Sequence, residues 1–394
     1  MIKPMEELTP ALLKNRLLAF ADFFQEVRDE KAGQKIRDLA QKLLHREFGI
    51  AFCGHFSAGK SRMINQLLGE DLLPSSPIPT SANLVKVQAG EEYALVHFRK
   101  GKPRKYLAPY DYEKIKSFCR DGDAIASIQL SRNGIQLPPG TVILDTPGID
   151  SADDAHRIAT ESAVHLADLI FYVMDYNHVQ SEVNFRFTQE LTQAGKAVCL
   201  VINQIDKHSE TELSFPDFQS SVEKAFRAWG VKPAAIFYTS LLPAAVDSSD
   251  FPRLQKFLHQ QLARRDTLLL ASIQASLDRI CQEHLLDARQ ASHHRLQAQH
   301  DRIAALPPEQ QTALQAQCHA LTAATTARKL NLAPQLADGI QQILNITFAQ
   351  RHHRLAVGFL IAGGHHSIYR QRILFGGGDL LFQQAANDPR LMRG

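Results

Sequence analysis

Residues 48–69, FGIAFCGHFSAGKSRMINQLLG, decide the fold of this chain. The apolar run FGIAFC at their start predicts a buried strand, and the residues after the serine have the periodicity of a helix. Between the two lies GHFSAGKS (54–61), which matches the pattern GxxxxGK[ST] of a loop that wraps nucleotide phosphates. A strand, a glycine-rich loop and a helix in this order predict a P-loop in an α/β protein.

The residues of this loop have separate predicted roles. Its glycines allow backbone amides to surround the phosphates, Lys60 reaches the terminal phosphates, and the Ser61 hydroxyl binds Mg²⁺. The helix that begins there adds its partial positive charge. The nucleotide-binding residues predicted from the loop are Gly54, His55, Phe56, Ser57, Ala58, Gly59, Lys60 and Ser61.

A second motif, DTPG (145–148), follows another apolar run. The Asp145 carboxylate can hold Mg²⁺ through water, and the Gly148 amide can meet the γ-phosphate. Thr80 lies twenty residues past Lys60, where its hydroxyl could complete the Mg²⁺ shell and its carbonyl could orient the attacking water. A threonine in a surface turn is the alternative. The predicted Mg²⁺ ligands are Ser61, Thr80 and Asp145.

A third motif, NQID (203–206), predicts which base is bound. A carboxylate at Asp206 can accept two hydrogen bonds from guanine N1–H and the 2-amino group, whereas adenine offers no such pair of donors. The motif therefore predicts GTP rather than ATP, with Asn203 and Gln204 in the same site. Ser240, at the end of a later strand, could support the base.

The residue after DTPG limits how hydrolysis can work. Ras-like enzymes have a glutamine there that orients water, and this chain has Ile149. Hydrolysis is therefore expected to depend on other side chains, on backbone amides or on a second molecule. The predicted catalytic residues are Ser57, Lys60, Thr80 and Gly148.

The rest of the pattern predicts the fold class. Apolar runs alternate with amphipathic segments, which is typical of a doubly wound, mainly parallel α/β sheet of the P-loop GTPase type. Helices before and after this part, including one that starts at Thr9-Pro10, are predicted to form an α-helical bundle. Strands are predicted at 48–53, 83–88, 93–98, 141–145, 168–175, 197–203 and 235–239, and helices at 61–69, 156–167, 181–193 and 216–229.

Four parts are predicted along the 394 residues. They are N-terminal bundle helices (1–47), a GTPase domain (48–264), further helices of the bundle (265–350) and an apolar, basic segment (351–394). From Thr267 onward there are 12 Lys and Arg against 8 Asp and Glu, so the net charge of +3 comes from the last third. No apolar run is long enough for a membrane span, and five scattered cysteines without a CxxC pair favour a reducing cytoplasm.

Taken together, these motifs resemble those of bacterial dynamin-like GTPases, specifically the Gram-positive type in which two dynamin units are fused. The resemblance covers essentially all of residues 48–240. It is specific, because the run after DTPG and the YNHVQSE stretch are not general GTPase motifs. The matching stretches are GHFSAGKS (54–61), PIPTSANLVKV (77–87), DTPGIDSADDAHR (145–157), DLIFYVMDYNHVQSE (168–182) and NQIDKH (203–208).

The resemblance implies a mechanoenzyme that hydrolyses GTP when two GTPase heads meet across their nucleotides. It implies that Ser57 helps to hold a monovalent cation, K⁺ or Na⁺, and that Thr80 holds the water. It also implies a cytoplasmic protein that associates peripherally with the inner face of the cell membrane and tethers, fuses or remodels it. About 130 residues follow the head, so we expect a truncated fragment or a reduced relative.

Several alternatives stay open at this stage. Residues 351–376 could contact an anionic bilayer through apolar side chains and arginines, or they could be a buried helix of the bundle. The basic helical end could instead bind RNA, which would make the chain a ribosome- or RNA-associated P-loop GTPase. No RNA-binding module is recognisable, so we expect no nucleic-acid partner.

Overall fold

The structure is a computed structural model that describes residues 8–75, 83–122, 124–148, 160–161, 163–242, 249–313 and 316. Thr80, Ile149 and the apolar, basic segment 351–394 lie outside the described residues, and so do residues 317–350 of the predicted bundle helices. The described residues form two compact units. One contains the residues up to Ile36 and those from Leu277, and the other contains Arg37 to Ser276.

The described part of the second unit is built on one mixed sheet. Its strand order is β4-β3-β5-β2-β6-β1-β7-β8-β9. Strand β1 lies parallel to β6 and β7, and β7, β8 and β9 continue the parallel part. This confirms the predicted mainly parallel α/β fold. The strands are β1 (Phe48–Gly54), β2 (Leu84–Ala89), β3 (Tyr93–Phe98), β4 (Arg104–Leu107), β5 (Ile125–Arg132), β6 (Thr141–Asp145), β7 (Leu169–Asp175), β8 (Ala197–Asn203) and β9 (Ala235–Thr239).

Strands β4 and β5 are absent from the sequence prediction. In β4 only Tyr106 is partly buried, so the strand has no apolar run of its own and exists through its antiparallel pairing with β3. Strand β5 mixes buried and half-buried residues and joins β3 to β2. These two strands extend the sheet on the side where β2 is antiparallel to β6.

The central strands are apolar because helices cover both faces of the sheet. Every residue of β1 and β7 is buried, and the rings of Phe52 and Phe171 stack with centroids 5.1 Å apart. Burial raises the pKa of the Cys53 thiol to about 12, so it stays protonated. The helices of this unit include α3 (Lys60–Leu68), α4 (Tyr112–Phe118), α5 (Glu182–Gln193), α6 (Phe215–Ala228) and α7 (Phe251–Ala263).

A buried ion pair fixes the start of the central strands. Lys42 Nζ lies 2.7 Å from Asp168 Oδ2, and the two side chains are 3% and 0% exposed. The same carboxylate oxygen accepts a hydrogen bond of 2.7 Å from the Gly49 amide in β1. The Lys42 ammonium also donates to the Leu166 carbonyl. The pair therefore joins the residues that precede β1 to those that precede β7.

The first unit is helical in its described part. It contains α1 (Pro10–Glu26), the beginning of α2 (Glu30–His45) and the part of α8 (Arg265–Ala304) from Leu277. The predicted helix start is confirmed, because Thr9 Oγ1 accepts a hydrogen bond of 3.2 Å from the Leu12 amide. His284 Nδ1 lies 2.7 Å from Asp29 Oδ2. Within the described ranges, every helix falls short of the combined length and apolarity that a bilayer span requires.

Candidate functional site

The candidate site lies at the carboxyl edge of the parallel strands. In the register of the sheet, Phe52 pairs with Asp145, Asp175 with Asn203, and Asn203 with Thr239. Loops that follow these strands therefore meet at one edge, where ligands of doubly wound sheets bind. Every described member of the predicted site comes from these loops or strand ends.

Two positions of the phosphate loop require glycine, because neighbouring atoms leave no room for a side chain. Gly54 has a φ of +140°, and a Cβ there would lie 1.9 Å from the Val173 carbonyl oxygen. Gly59 has a φ of +90°, and a Cβ there would lie 2.6 Å from Asn203 Nδ2. Residues Phe56–Ala58 form a short 3-10 turn between them. No other residue type fits either position without moving the backbone or the Asn203 side chain.

Lys60 is buried under this loop. Its side chain donates hydrogen bonds of 3.0 Å to the Gly54 carbonyl and 2.7 Å to the His55 carbonyl. Only 4% of the residue is exposed. Ser57, in contrast, is exposed on the loop. The ammonium group is thus held inside the loop that would receive the phosphates.

Ser61 and Asp145 form the candidate metal position. Ser61 Oγ donates a hydrogen bond of 2.7 Å to Asp145 Oδ2, and both residues are buried. A hydroxyl and a carboxylate are oxygen donors of the kind that Mg²⁺ prefers, with phosphate and water oxygens completing its shell. The residues present therefore fit Mg²⁺. No group of three or more His, Cys, Asp or Glu side chains in the described part could hold a metal ion by itself.

Gly148 packs directly on the phosphate loop. A Cβ at Gly148 would lie 3.0 Å from the Cα, Cβ and amide nitrogen of Phe56. The preceding Thr146 is anchored to β1, because its hydroxyl donates a hydrogen bond of 3.0 Å to the Phe52 carbonyl. The DTPG segment is therefore held against the loop, and its last described amide lies next to Phe56.

The NQID segment is joined to the phosphate loop by side-chain hydrogen bonds. Asn203 Nδ2 donates to the Ala58 carbonyl at 2.8 Å, and Gln204 Nε2 donates to the Ser57 carbonyl at 2.9 Å. Thr239 Oγ1 donates in turn to Asn203 Oδ1 at 3.1 Å. The Asn203 and Gln204 side chains thus contact the loop that surrounds the phosphates.

Asp206 and Ser240 are brought together as neighbours. The Ser240 hydroxyl donates a hydrogen bond to Asp206 Oδ1, and Ser240 Oγ also accepts a bond of 3.3 Å from the Leu242 amide. Asp206 itself is exposed. One carboxylate oxygen is thereby oriented by a serine at the end of β9. Ser240 is placed to position Asp206.

Sequence reasoning missed a polar cluster behind the phosphate loop. Asn184 in α5 is 0% exposed, and its Oδ1 lies 2.7 Å from His55 Nε2 and accepts a bond of 2.7 Å from the Tyr172 hydroxyl. Its Nδ2 donates to the carbonyls of His178 and Val179 at 2.6 Å and 3.0 Å. Asn184 therefore joins the phosphate loop to the YNHVQSE stretch. The signal available in the sequence was that stretch, which is followed directly by α5.

The same stretch also contacts the NQID loop. Lys207 Nζ lies 3.0 Å from Asp175 Oδ2, and the Tyr176 hydroxyl lies 2.8 Å from His208 Nδ1. Asp175 Oδ1 accepts a bond of 2.7 Å from the Asn177 amide, which fixes the turn after β7. The turn after β7 therefore contacts the NQID loop directly and is linked to the phosphate loop through Asn184.

We expect the Asn184→Ala variant to lose about 1 to 3 kcal/mol of unfolding free energy, because two buried carbonyls lose their donor. We also expect it to bind nucleotide more weakly, since His55 loses the group that orients it. Urea unfolding and nucleotide titration measure the two effects. Val183→Ala is the matched control, because Val183 is the adjacent residue of α5 and is 51% exposed. Equal behaviour of the two variants would contradict the positioning role of Asn184.

Part of this chain is similar to known proteins. The family model of the dynamin family matches residues 50–206. Dynamin-like protein A of Bacillus subtilis is 38% identical over 253 residues, which are 64% of this chain and 21% of that protein. Dynamin-like protein 1 of Campylobacter jejuni is 25% identical over 225 residues, which are 47% of this chain and 31% of that protein. The chain therefore spans less than a third of the length of these two relatives.

A solved structure of an oligomerised bacterial dynamin pair, described as a mechanism for the long-range sensing and tethering of membranes, is also similar. It is 17% identical, covers 87% of this chain and 67% of its own, and has a TM-score of 0.46. The family model spans the phosphate loop, the DTPG motif and Asp206. Residues 50–206 of this chain are therefore similar to the dynamin family.

Proposed function

We propose that this chain binds GTP with Mg²⁺ and hydrolyses it to GDP and phosphate at the carboxyl edge of the sheet. The observation that carries the proposal is the contact between the NQID motif and the phosphate loop, whose bonded residues Asn203 and Ala58 are 145 positions apart. Asn203 and Gln204 donate hydrogen bonds of 2.8 Å and 2.9 Å to the phosphate loop, so the base-reading and phosphate-binding segments form one site. Asp206 follows them and supports guanine over adenine.

The residues of the site support a division of labour in hydrolysis. Lys60 exchanges its carbonyl partners for phosphate oxygens, and Ser61 with Asp145 holds the metal, with Thr80 as the proposed third ligand. Mg²⁺ neutralises the charge that builds up on the phosphate oxygens. Gly148 contributes its amide to the γ-phosphate. Because Ile149 cannot orient water, Thr80 is proposed to do so.

Self-association is the second part of the proposal. Ser57 is exposed on the phosphate loop, where a second head or a monovalent cation, K⁺ or Na⁺, could reach it. We propose that two heads pair across their nucleotides and thereby complete a site that lacks a water-orienting glutamine. The similarity of residues 50–206 to the dynamin family, together with the bacterial dynamin relatives, supports this pairing.

Action at a membrane is the third part. We propose that the protein is cytoplasmic, associates peripherally with lipids of the inner face of the cell membrane, and tethers, fuses or remodels that membrane. The relatives named above support it, one of them a bacterial dynamin pair described in terms of membrane tethering. No described feature favours the alternative of an RNA-associated GTPase.

A single experiment tests catalysis and pairing together. We expect phosphate release from GTP in the presence of Mg²⁺, with a specific activity that rises with protein concentration, because pairing is a mass-action equilibrium. Initial rates over a wide concentration range measure both, and EDTA is the control for the metal. Absence of turnover at every concentration would contradict catalysis, whereas a constant specific activity would contradict head pairing alone.

A further inference from the structure

The tip of the β3–β4 hairpin is strongly basic. The segment RKGKPRK (99–105) contains five Lys or Arg residues and no acid. All seven residues are exposed, and none of the five basic side chains forms an ion pair with a residue that the structure describes. Arg132 on the neighbouring strand behaves differently, since it pairs with Glu70 and Glu92. Among the described residues, the hairpin tip therefore presents positive charge to solvent without an acidic partner.

The shape of the tip is fixed by local contacts. Gly101 has a φ of +113°, which allows the turn. Arg99 Nε donates a hydrogen bond of 2.7 Å to the Gly122 carbonyl. The Arg104 guanidinium lies 5.4 Å from the centre of the Phe98 ring, and Lys105 Nζ lies 4.2 Å from the centre of the Tyr93 ring. The basic surface thus exists before any partner binds, which reduces the entropy lost on binding.

Protection of the sheet edge explains only part of this charge. Strand β4 is the edge strand, and lysines on edge strands prevent pairing with another chain. Lys100 and Lys102, however, lie in the turn between Phe98 and Arg104, outside the paired residues. The positive charge of these two lysines is therefore not explained by protection of the edge strand and is available to a negatively charged partner.

The surroundings of the tip favour lipid headgroups over nucleic acid. Proteins that bind single-stranded nucleic acid stack bases on uncovered aromatic rings. Here Phe98 and Tyr93 are already covered by Arg104 and Lys105. Leu107 is 66% exposed, but it pairs with Tyr93 at the end of the hairpin away from the turn. A basic turn whose neighbouring aromatic rings are covered suits electrostatic attraction to anionic lipid headgroups rather than base stacking.

The strand pairings fix the direction of the hairpin. The pairings from β3 through β5, β2 and β6 make β3 parallel to β1 and place it four positions away. The turn after β3 and the phosphate loop after β1 therefore both lie at the carboxyl edge of the sheet, four strand positions apart.

We propose that the basic tip of the β3–β4 hairpin, residues 99–105, docks the GTPase head on an anionic phospholipid surface. The proposal rests on the membrane association proposed above and names a surface for it within the described residues. Each basic side chain close to an anionic surface adds to the attraction, and salt weakens it.

Paired charge reversals in the full chain test this proposal. The hairpin variant is Lys100→Glu with Lys102→Glu, which removes positive charge from the turn and leaves the residues of edge strand β4 unchanged. The matched control is Lys224→Glu with Lys232→Glu, two exposed lysines with the same change in net charge. Cosedimentation with phosphatidylcholine vesicles, with and without phosphatidylglycerol, measures binding at low and high salt. GTP turnover in the absence of vesicles is measured alongside.

We expect the parent and the control to bind phosphatidylglycerol vesicles, and the hairpin variant to bind at least about tenfold more weakly at low salt, with unchanged basal turnover. Equal binding of the two variants would overturn the hairpin assignment and leave membrane association itself intact. A parent chain that fails to bind these vesicles would overturn both. Hairpin-dependent binding of an RNA in place of vesicles would also overturn the proposal and identify a nucleic-acid surface.

Discussion

The Lys60→Ala variant should hydrolyse GTP at least about a thousand times more slowly than the parent protein, which removes turnover from the measurable range. The truncation takes away the buried ammonium that Gly54 and His55 hold through their carbonyls. Two carbonyl groups of the loop then lose their donor, and the positive charge that Lys60 would bring to the terminal phosphates is lost. The expected loss exceeds that of one neutral donor because a full charge disappears.

Phosphate release under saturating GTP measures this loss, and circular dichroism shows whether the variant is folded. Lys224→Ala is the control, since Lys224 is an exposed lysine of α6 outside the site. A folded Lys60→Ala protein that retains full activity would refute the assignment of residues 54–61 as the phosphate loop. A variant that still binds GTP but does not hydrolyse it would support the catalytic role of Lys60 specifically.

For Asp206→Asn we expect GTP affinity to fall by about 10² to 10⁴-fold, with little change in the weak binding of ATP. A carboxylate can accept from both guanine donors, whereas an asparagine turns an NH₂ group toward one of them. Xanthine carries a carbonyl oxygen in place of the 2-amino group, so the variant should gain affinity for XTP. Competition titrations with GTP, ATP and XTP measure the change in selectivity.

Two comparisons make this test specific. Glu210→Gln changes another exposed carboxylate of the same loop and should leave selectivity unchanged. Ser240→Ala removes the hydroxyl that donates to Asp206 and should weaken GTP binding to a smaller extent. Unaltered discrimination between GTP and ATP in Asp206→Asn would count against Asp206 as the residue that recognises guanine.

The central sheet could be predicted from sequence because its strands are covered on both faces. The runs TVILD in β6 and LIFYVMD in β7 are mainly apolar, and every residue of both strands is buried. A motif that follows such a run must lie at the carboxyl edge, so the positions of Ser61, Asp145 and Asn203 could be anticipated. The edge strand β4 could not, since its sequence RKYL has no buried residue and owes its form to pairing with β3.

The contacts between the loops could not be predicted either. The sequence predicts Asn203 in the nucleotide site, but it does not predict the hydrogen bond from this side chain to the Ala58 carbonyl. Asn184 reads as an ordinary polar residue near a helix start, and its burial against His55 depends on how α5 packs on the sheet. Long-range polar contacts of this kind depend on how the helices and strands pack, so local sequence patterns do not predict them.

The close approach at Gly54 limits which mutations this position tolerates. The hydrogen on its α-carbon occupies the space where any other side chain would place a carbon 1.9 Å from the Val173 oxygen. Every base change in this codon that replaces the amino acid therefore forces β1 away from β7. Exposed positions outside the proposed sites, such as Val183, can vary, but at this codon only synonymous changes would leave the strands undisturbed.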